Sequence, residues 1–199
     1  SNAYNSKLWY LTKTPFSNDF FKQVISDLSN LYGSIKGLSK KLLILDLDDT
    51  LWGGIVGEVG WKNLRIGGHD HLGEAFRDFQ IQIKSLKNQG IILALASKND
   101  EATAIEAINS HPEMILSMKD FVTYRINWED KAKNIVDIVD ELNLGLQSVV
   151  FLDDSPFERA RVQEALPEVL VPELPKDPTD YNTFLRSEER RVGKECRSR

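Results

Sequence analysis

Leu42, Leu43, Ile44 and Leu45 run without interruption into Asp46, Leu47, Asp48, Asp49 and Thr50. Four consecutive aliphatic residues read as a strand buried on both faces, the setting of a central strand in a parallel sheet. That strand delivers three carboxylates within four residues, and in open α/β sheets ligands bind at the carboxyl ends of strands. Asp46 and Asp48, two apart, share one face of a continuing strand. Like charges so close are costly unless a cation or a proton offsets them. The plain alternative is an acidic turn in which Asp49 or Thr50 caps a helix.

Further along, the same pattern recurs. Residues 72–88 place Leu72, Ala75, Phe76, Phe79, Ile83 and Leu86 on one helical face. Ile91 to Ala96 is a second buried strand, ending in Ser97, Lys98 and Asn99 ahead of another helix. A hydroxyl there is placed to donate to phosphate oxygens, although taken alone a serine at such a junction is more often a simple cap. Residues 121–124 read as a short strand. The run Asn127, Trp128, Glu129, Asp130 then leads into a helix with Lys131 in its first turn. A cation there opposes the helix dipole, so a bound phosphate or a nearby Asp153 should compensate it. Val149 to Leu152 is the fourth apolar run and ends in Asp153, Asp154, Ser155 and Pro156, with Pro156 suited to the first turn of the next helix. Val169 to Val171 makes a last short strand. The order β-flap-α-β-α-β-α-β-α-β predicts an α/β fold, a Rossmann-like parallel sheet with helices on both faces.

Six of the 12 glycines, Gly53, Gly54, Gly57, Gly60, Gly67 and Gly68, lie between the first strand and the first long helix. They suit a twisted β-hairpin, a minimal cap over the acidic strand end at about 52–68, with Trp52 or Trp61 as a shield from water. Before the first strand, Ser17 can cap a helix striped with Phe20, Phe21, Val24, Ile25, Leu28, Leu31, Tyr32 and Ile35. Its apolar face needs a surface, on this domain or a neighbouring one. The expected organisation is a tag remnant at 1–3, this lead-in and helix at 4–38, a catalytic domain at 39–186 and a non-native tail at 187–199.

A net charge of −5 gives no sign of a nucleic-acid or membrane surface. No apolar run reaches membrane-spanning length, and a single cysteine, Cys196, excludes an internal disulfide and a cysteine-based metal cluster. A cytoplasmic location follows as the default.

The strand ends and one helix start therefore offer Asp46, Asp48, Ser97, Lys131, Asp153 and Asp154, with Thr50 and Asn99 in support. Two acidic strand ends make an oxygen-rich pocket that favours a hard divalent cation such as Mg²⁺. Ser97 and Lys131, together with Lys98, supply donors for phosphate oxygens. One carboxylate is left as nucleophile and a second as proton donor.

Asp46-Leu47-Asp48-Asp49-Thr50, Ser97, Lys131 and Asp153-Asp154, in that order, resemble the four motifs of the haloacid dehalogenase (HAD) superfamily of phosphohydrolases. The longer runs 45–54, 97–99, 127–131 and 151–156 resemble its FkbH-like branch. The resemblance implies that Asp46 carries an aspartyl-phosphate and that Asp48 protonates the leaving group and then activates water. Ser97 and Lys131 would clamp the phosphoryl group. Mg²⁺ would sit on Asp46, the Asp48 carbonyl and Asp154, with Asp153 orienting the site, pairing with Lys131 or also ligating. Implied partners are a phosphorylated small molecule of phosphoglycerate type and, in some members, an acyl carrier protein or a neighbouring domain of a longer protein. Glyceryl transfer in such members uses an enzyme cysteine, and the position where it is expected is Ala96.

Three rivals remain. A response-regulator receiver has its acidic pair first and its acceptor aspartate on a later strand. A non-catalytic interaction module has no need of both Asp46 and Asp48. A metal site at His69, Asp70 and His71 finds only His111 as a further imidazole.

Overall fold

A computed structural model describes residues 40–68 and 70–185. The tag remnant, the helix expected from Ser17, His69 and the tail with Cys196 lie outside the described residues. The strands are β1 (Leu42–Leu45), β2 (Ile92–Ser97), β3 (Thr123–Ile126) and β4 (Val149–Leu152). They form one all-parallel sheet in the order β3-β2-β1-β4. The fully aliphatic β1 is thus internal and buried along its whole length, as an uninterrupted apolar run requires. The expected β3 starts two residues later than its apolar pattern suggests. Val169 to Val171 does not form a full strand: it contributes a single parallel bridge, Leu170 to Val150, outside β4.

The helices are α1 (Val56–Val59), α2 (His71–Asn88), α3 (Glu101–Ser110), α4 (Lys131–Glu141) and α5 (Pro156–Ala165). Alternation along the strands separates two cores. Leu43, Leu45, Leu93 and Leu95 pack with Phe76, Phe79 and Ile83 of α2 and Ala104 and Ile108 of α3. Leu42, Ile44, Ala94 and Phe151 pack with Ile135, Ile138 and Val139 of α4 and Val162 of α5. Burying each large side chain contributes about 1.5–3 kcal/mol. The sheet is therefore covered on both faces, and its carboxyl edge is left for chemistry.

The flap is mostly helical rather than a strand hairpin. Only its closing pair is β-like: Gly53 N–H donates to Arg65 O (3.1 Å) and Arg65 N–H to Gly53 O (2.9 Å). Glycine is required at this close approach, because a Cβ at Gly53 would lie 2.9 Å from Phe76 Cε2. Between the pair, α1 ends at Gly60 (φ +73°) and a 3₁₀ turn, Trp61–Asn63, follows. A bulky non-glycine residue disfavours that φ, so the glycines set the turns without extending them into strands.

Asp120 ties the approach to β3 onto the end of α2. Its carboxylate accepts from Lys87 Nζ (2.7 Å), Lys84 Nζ (3.3 Å) and Ser117 N–H (2.8 Å). Burial pushes its pKa up, but these donors outweigh it and hold the group at about 2. The charged carboxylate therefore contributes on the order of 2 kcal/mol, present above its unfolded pKa near 4 and lost as pH falls through about 2. Asp120→Asn is expected to lower the unfolding free energy by about that amount at pH 7. Urea unfolding should show the gap between the variant and the natural chain closing between about pH 4 and pH 2.

Candidate active site

Asp46 follows β1 directly, and its N–H donates to Leu152 O of β4 at 3.0 Å. The sheet ladder thus continues one residue past the strand and fixes where this side chain starts. Lys131, the first residue of α4 and only 3% exposed, brings its ammonium 3.0 Å from Asp46 Oδ1 and 2.6 Å from Asp153 Oδ2. Burial works against the lysine charge, yet Asp46 and Asp153 outweigh it and hold the pKa above the ordinary lysine value. The compensation that Lys131 needs at a helix N-terminus is thus Asp153, together with Asp46.

Oxygens of Asp46, Asp153 and Asp154 lie within 4.8 Å of one another, the one such acidic or imidazole group among the described residues. Asp153 is fully engaged, since its Oδ1 also accepts from Ser155 N–H (2.8 Å). Asp154 is placed by Thr50, whose Oγ1 accepts from Asp154 N–H (3.1 Å) and lies 3.4 Å from Asp154 Oδ1. Asp46 Oδ1 is buried and, although close to Lys131, takes part in no hydrogen bond. Three clustered carboxylates facing one lysine carry more negative charge than it offsets, which fits a hard divalent cation held by oxygen ligands. The Asp48 side chain is not part of that group. Asp48 is expected to ligate through its backbone carbonyl, and its side-chain oxygens serve other donors.

Asp48 Oδ1 accepts from Trp52 Nε1 (2.8 Å) and Val56 N–H (3.0 Å), and Oδ2 accepts from Asn99 Nδ2 (2.9 Å). Burial raises the Asp48 pKa, opposed by these three donors and aided by the charge on Asp46. The same Asn99 amide lies 3.3 Å from Ser97 Oγ, so Ser97, Asn99 and Asp48 form one chain. Ser97 is buried at the last position of β2, and its hydroxyl hydrogen remains available to an incoming acceptor. Asp49 has φ +50°, and its Oδ1 accepts from Gly54 N–H (2.7 Å). It closes the turn after β1 and caps no helix, since the residue preceding α1 is Ile55.

Lys98 does not join the cluster through any of these contacts. Its ammonium pairs with Glu158 Oε1 of α5 at 2.7 Å. Of the two flap tryptophans, Trp52 is buried and contacts Asp48, while Trp61 reaches Glu106 on α3 at 3.0 Å. Asp70 caps α2 and pairs with Arg65 at 2.7 Å, which leaves it serving structure rather than a histidine-based metal site. Arg159 was missed: its Nη1 donates to the carbonyls of Asp153 (2.8 Å) and Asp154 (2.5 Å). The signal was an arginine three residues before Val162 on the inward face of α5. Tyr181 was missed too; its hydroxyl donates to Asp49 O at 3.3 Å, a contact no local pattern announces.

Asp154 also carries a raised pKa, through burial first and then the charges of Asp46 and Asp49. A carboxylate whose folded pKa is raised costs stability above that pKa, and the cost vanishes below the unfolded value near 4. In cation-free buffer, Asp154→Asn should therefore stabilise the domain at pH 7 and confer no advantage below about pH 4, as read by urea unfolding.

The chain is similar to the N-terminal part of protein BF1531 from Bacteroides fragilis, a structure containing a phosphatase domain complexed with Mg. Identity is 45% and the TM-score 0.77, over 93% of this chain and 49% of that one. The chain thus spans about half the length of that relative. It also resembles the HAD domain of effector protein Lem4 from Legionella pneumophila, with 14% identity, TM-score 0.53 and 75% and 92% of the two chains covered. A HAD family enzyme from Bacteroides thetaiotaomicron, BT-2542, in complex with magnesium and inorganic phosphate, aligns at 14% identity and TM-score 0.51 over 73% and 99%. No family model matches, and no curated protein does. The fold is the α/β Rossmann-like fold of HAD phosphatase domains.

Proposed function

We propose that this domain, which has the fold of the HAD phosphatases, is a Mg²⁺-dependent phosphohydrolase working through an aspartyl-phosphate on Asp46. One observation carries the reading: a buried Asp46 oxygen 3.0 Å from a buried lysine, with Asp153 and Asp154 oxygens within 4.8 Å. The Mg²⁺ complexes of the BF1531 and BT-2542 structures support the choice of ion. Among the described residues no helix is long and apolar enough to cross a membrane.

Asp46 and Asp154 would hold the ion, with Asp153 keeping Lys131 in place beside them. Bound there, Mg²⁺ supplies positive charge against that developing on the transferred phosphoryl oxygens. An Asp46 oxygen attacks phosphorus in line with the leaving oxygen, and the P–O bond to the leaving group breaks. Lys131 and Ser97 donate to the non-bridging oxygens. Asp48 gives its proton to the departing oxygen; as a carboxylate it then takes one from the water that attacks the aspartyl-phosphate. Inorganic phosphate leaves, and Asp46 is regenerated. The raised pKa of Asp48 keeps protonated acid accessible for the first step.

The FkbH-like placement belongs to the same proposal, supported by the four motif runs and by the short flap. Within it, hydrolysis of a phosphoglycerate-type metabolite is favoured over glyceryl transfer to an acyl carrier protein, because Ala96, fully buried in β2, offers no thiol. A receiver-like role is disfavoured by Asp48, held beside the proposed acceptor with no counterpart in a domain that only stores phosphate.

Phosphate release from p-nitrophenyl phosphate should require Mg²⁺ and fall below detection in Asp46→Asn. Asp48→Asn should lose about 100- to 10,000-fold. Mg²⁺ should raise the Tm of the natural chain and not that of Asp154→Asn. Equal rates for Asp46→Asn and the natural chain would end the nucleophile assignment, and a phosphate-release screen over small metabolites would identify the substrate.

A further inference from the structure

The acid that serves the leaving group is held by three donors from three segments, and two of them belong to the flap. Trp52 is buried to 0% exposure, yet its one polar atom is spent on Asp48 Oδ1 at 2.8 Å. Val56 N–H, at the start of α1, donates to the same oxygen at 3.0 Å. A carboxyl oxygen has two lone pairs, so Oδ1 is saturated and has no place for a proton. Among the described residues Oδ2 accepts one bond, from Asn99 Nδ2 at 2.9 Å, which leaves it one open position.

We infer that Trp52 and Asn99 are positioning residues that lock the Asp48 carboxyl so that Oδ2 alone exchanges the proton with the leaving oxygen and with water. This rests on the phosphohydrolase reading and deepens it. Neither residue touches the phosphoryl group in this role; both act through Asp48. The step is balanced: the phosphorus–oxygen bond breaks with its electron pair kept on the departing oxygen, and that oxygen takes the proton from Oδ2. A carboxyl free to rotate would present Oδ1 and Oδ2 at random and lose part of the advantage of fixed geometry. Because Val56 N–H shares Oδ1 with Trp52, the proton donor and the flap are held as one piece.

The test compares an alkyl phosphate, whose leaving oxygen needs a proton, with p-nitrophenyl phosphate, whose leaving group departs as the anion. Asn99→Ala and Trp52→Phe are measured beside Asp48→Asn, with Tm and far-ultraviolet dichroism recorded for each. The inference expects kcat/KM to fall at least about tenfold more on the alkyl phosphate than on p-nitrophenyl phosphate in both positioning variants, the same bias as in Asp48→Asn. Should Trp52→Phe fail to fold, benzothienylalanine at position 52 keeps the bicyclic outline without the N–H and must show the same bias. A loss equal on both substrates, or no loss, overturns the inference while a bias in Asp48→Asn leaves the phosphatase reading standing. An unbiased Asp48→Asn, or a natural chain that turns over neither substrate, defeats the reading itself.

Discussion

Lys131 is the point at which three parts of the chain become one site. Its ammonium lies between Asp46, at the end of β1, and Asp153, at the end of β4, while its backbone begins the helix that follows β3. Taking these three charges out of water is costly, and their attraction offsets that only when geometry is good and further hydrogen bonds satisfy what remains. Asp153 meets the condition through Ser155 N–H, and Arg159 holds the carbonyls of the same turn. Asp46 Oδ1 has the ion pair with Lys131 as its one contact among the described residues. The arrangement is better suited to a state with an added cation than to the bare protein.

Around this ion pair the remaining polar groups divide into two sets. Asp154 and Thr50 belong with the carboxylate cluster, whereas Asp48 is bonded to Trp52, Val56 and Asn99. Two aspartates two residues apart thereby acquire different environments, and environment is what lets like groups take unlike roles. Trp128, 74% exposed, lies in the loop that follows β3, and Phe157, 73% exposed, in the first turn of α5 after β4.

The sheet and the acidic residues were legible because both are local signals: an aliphatic run ends in Asp46, and another ends in Asp153. Lys131 was legible through a contradiction, a cation where the helix dipole disfavours one. Partner choice was not. Lys98 is as plausible a phosphate donor as Lys131 until α5 is seen to place Glu158 2.7 Å away. Glycine spacing revealed that the flap turns sharply, but not that Val56 to Val59 would coil rather than extend. The contacts of Tyr181 and Arg159 depend on segments brought together only by the finished fold, and no periodicity encodes them.

Sheet order also governs when the site can exist. β1 sits between β2, which follows within about fifty residues, and β4, whose partners Val149 to Leu152 come more than a hundred residues later. Tyr181, packed edge-on against Phe79 at a ring separation of 5.1 Å, reaches back across a separation of 132 residues to the carbonyl of Asp49. A chain emerging from the ribosome amino end first can pair β1 with β2, and β2 with β3, while the rest is still being made. Asp46 then stands at an open sheet edge with neither Asp153 nor Asp154 beside it. The acidic cluster is thus complete only after β4 and its following turn have joined β1.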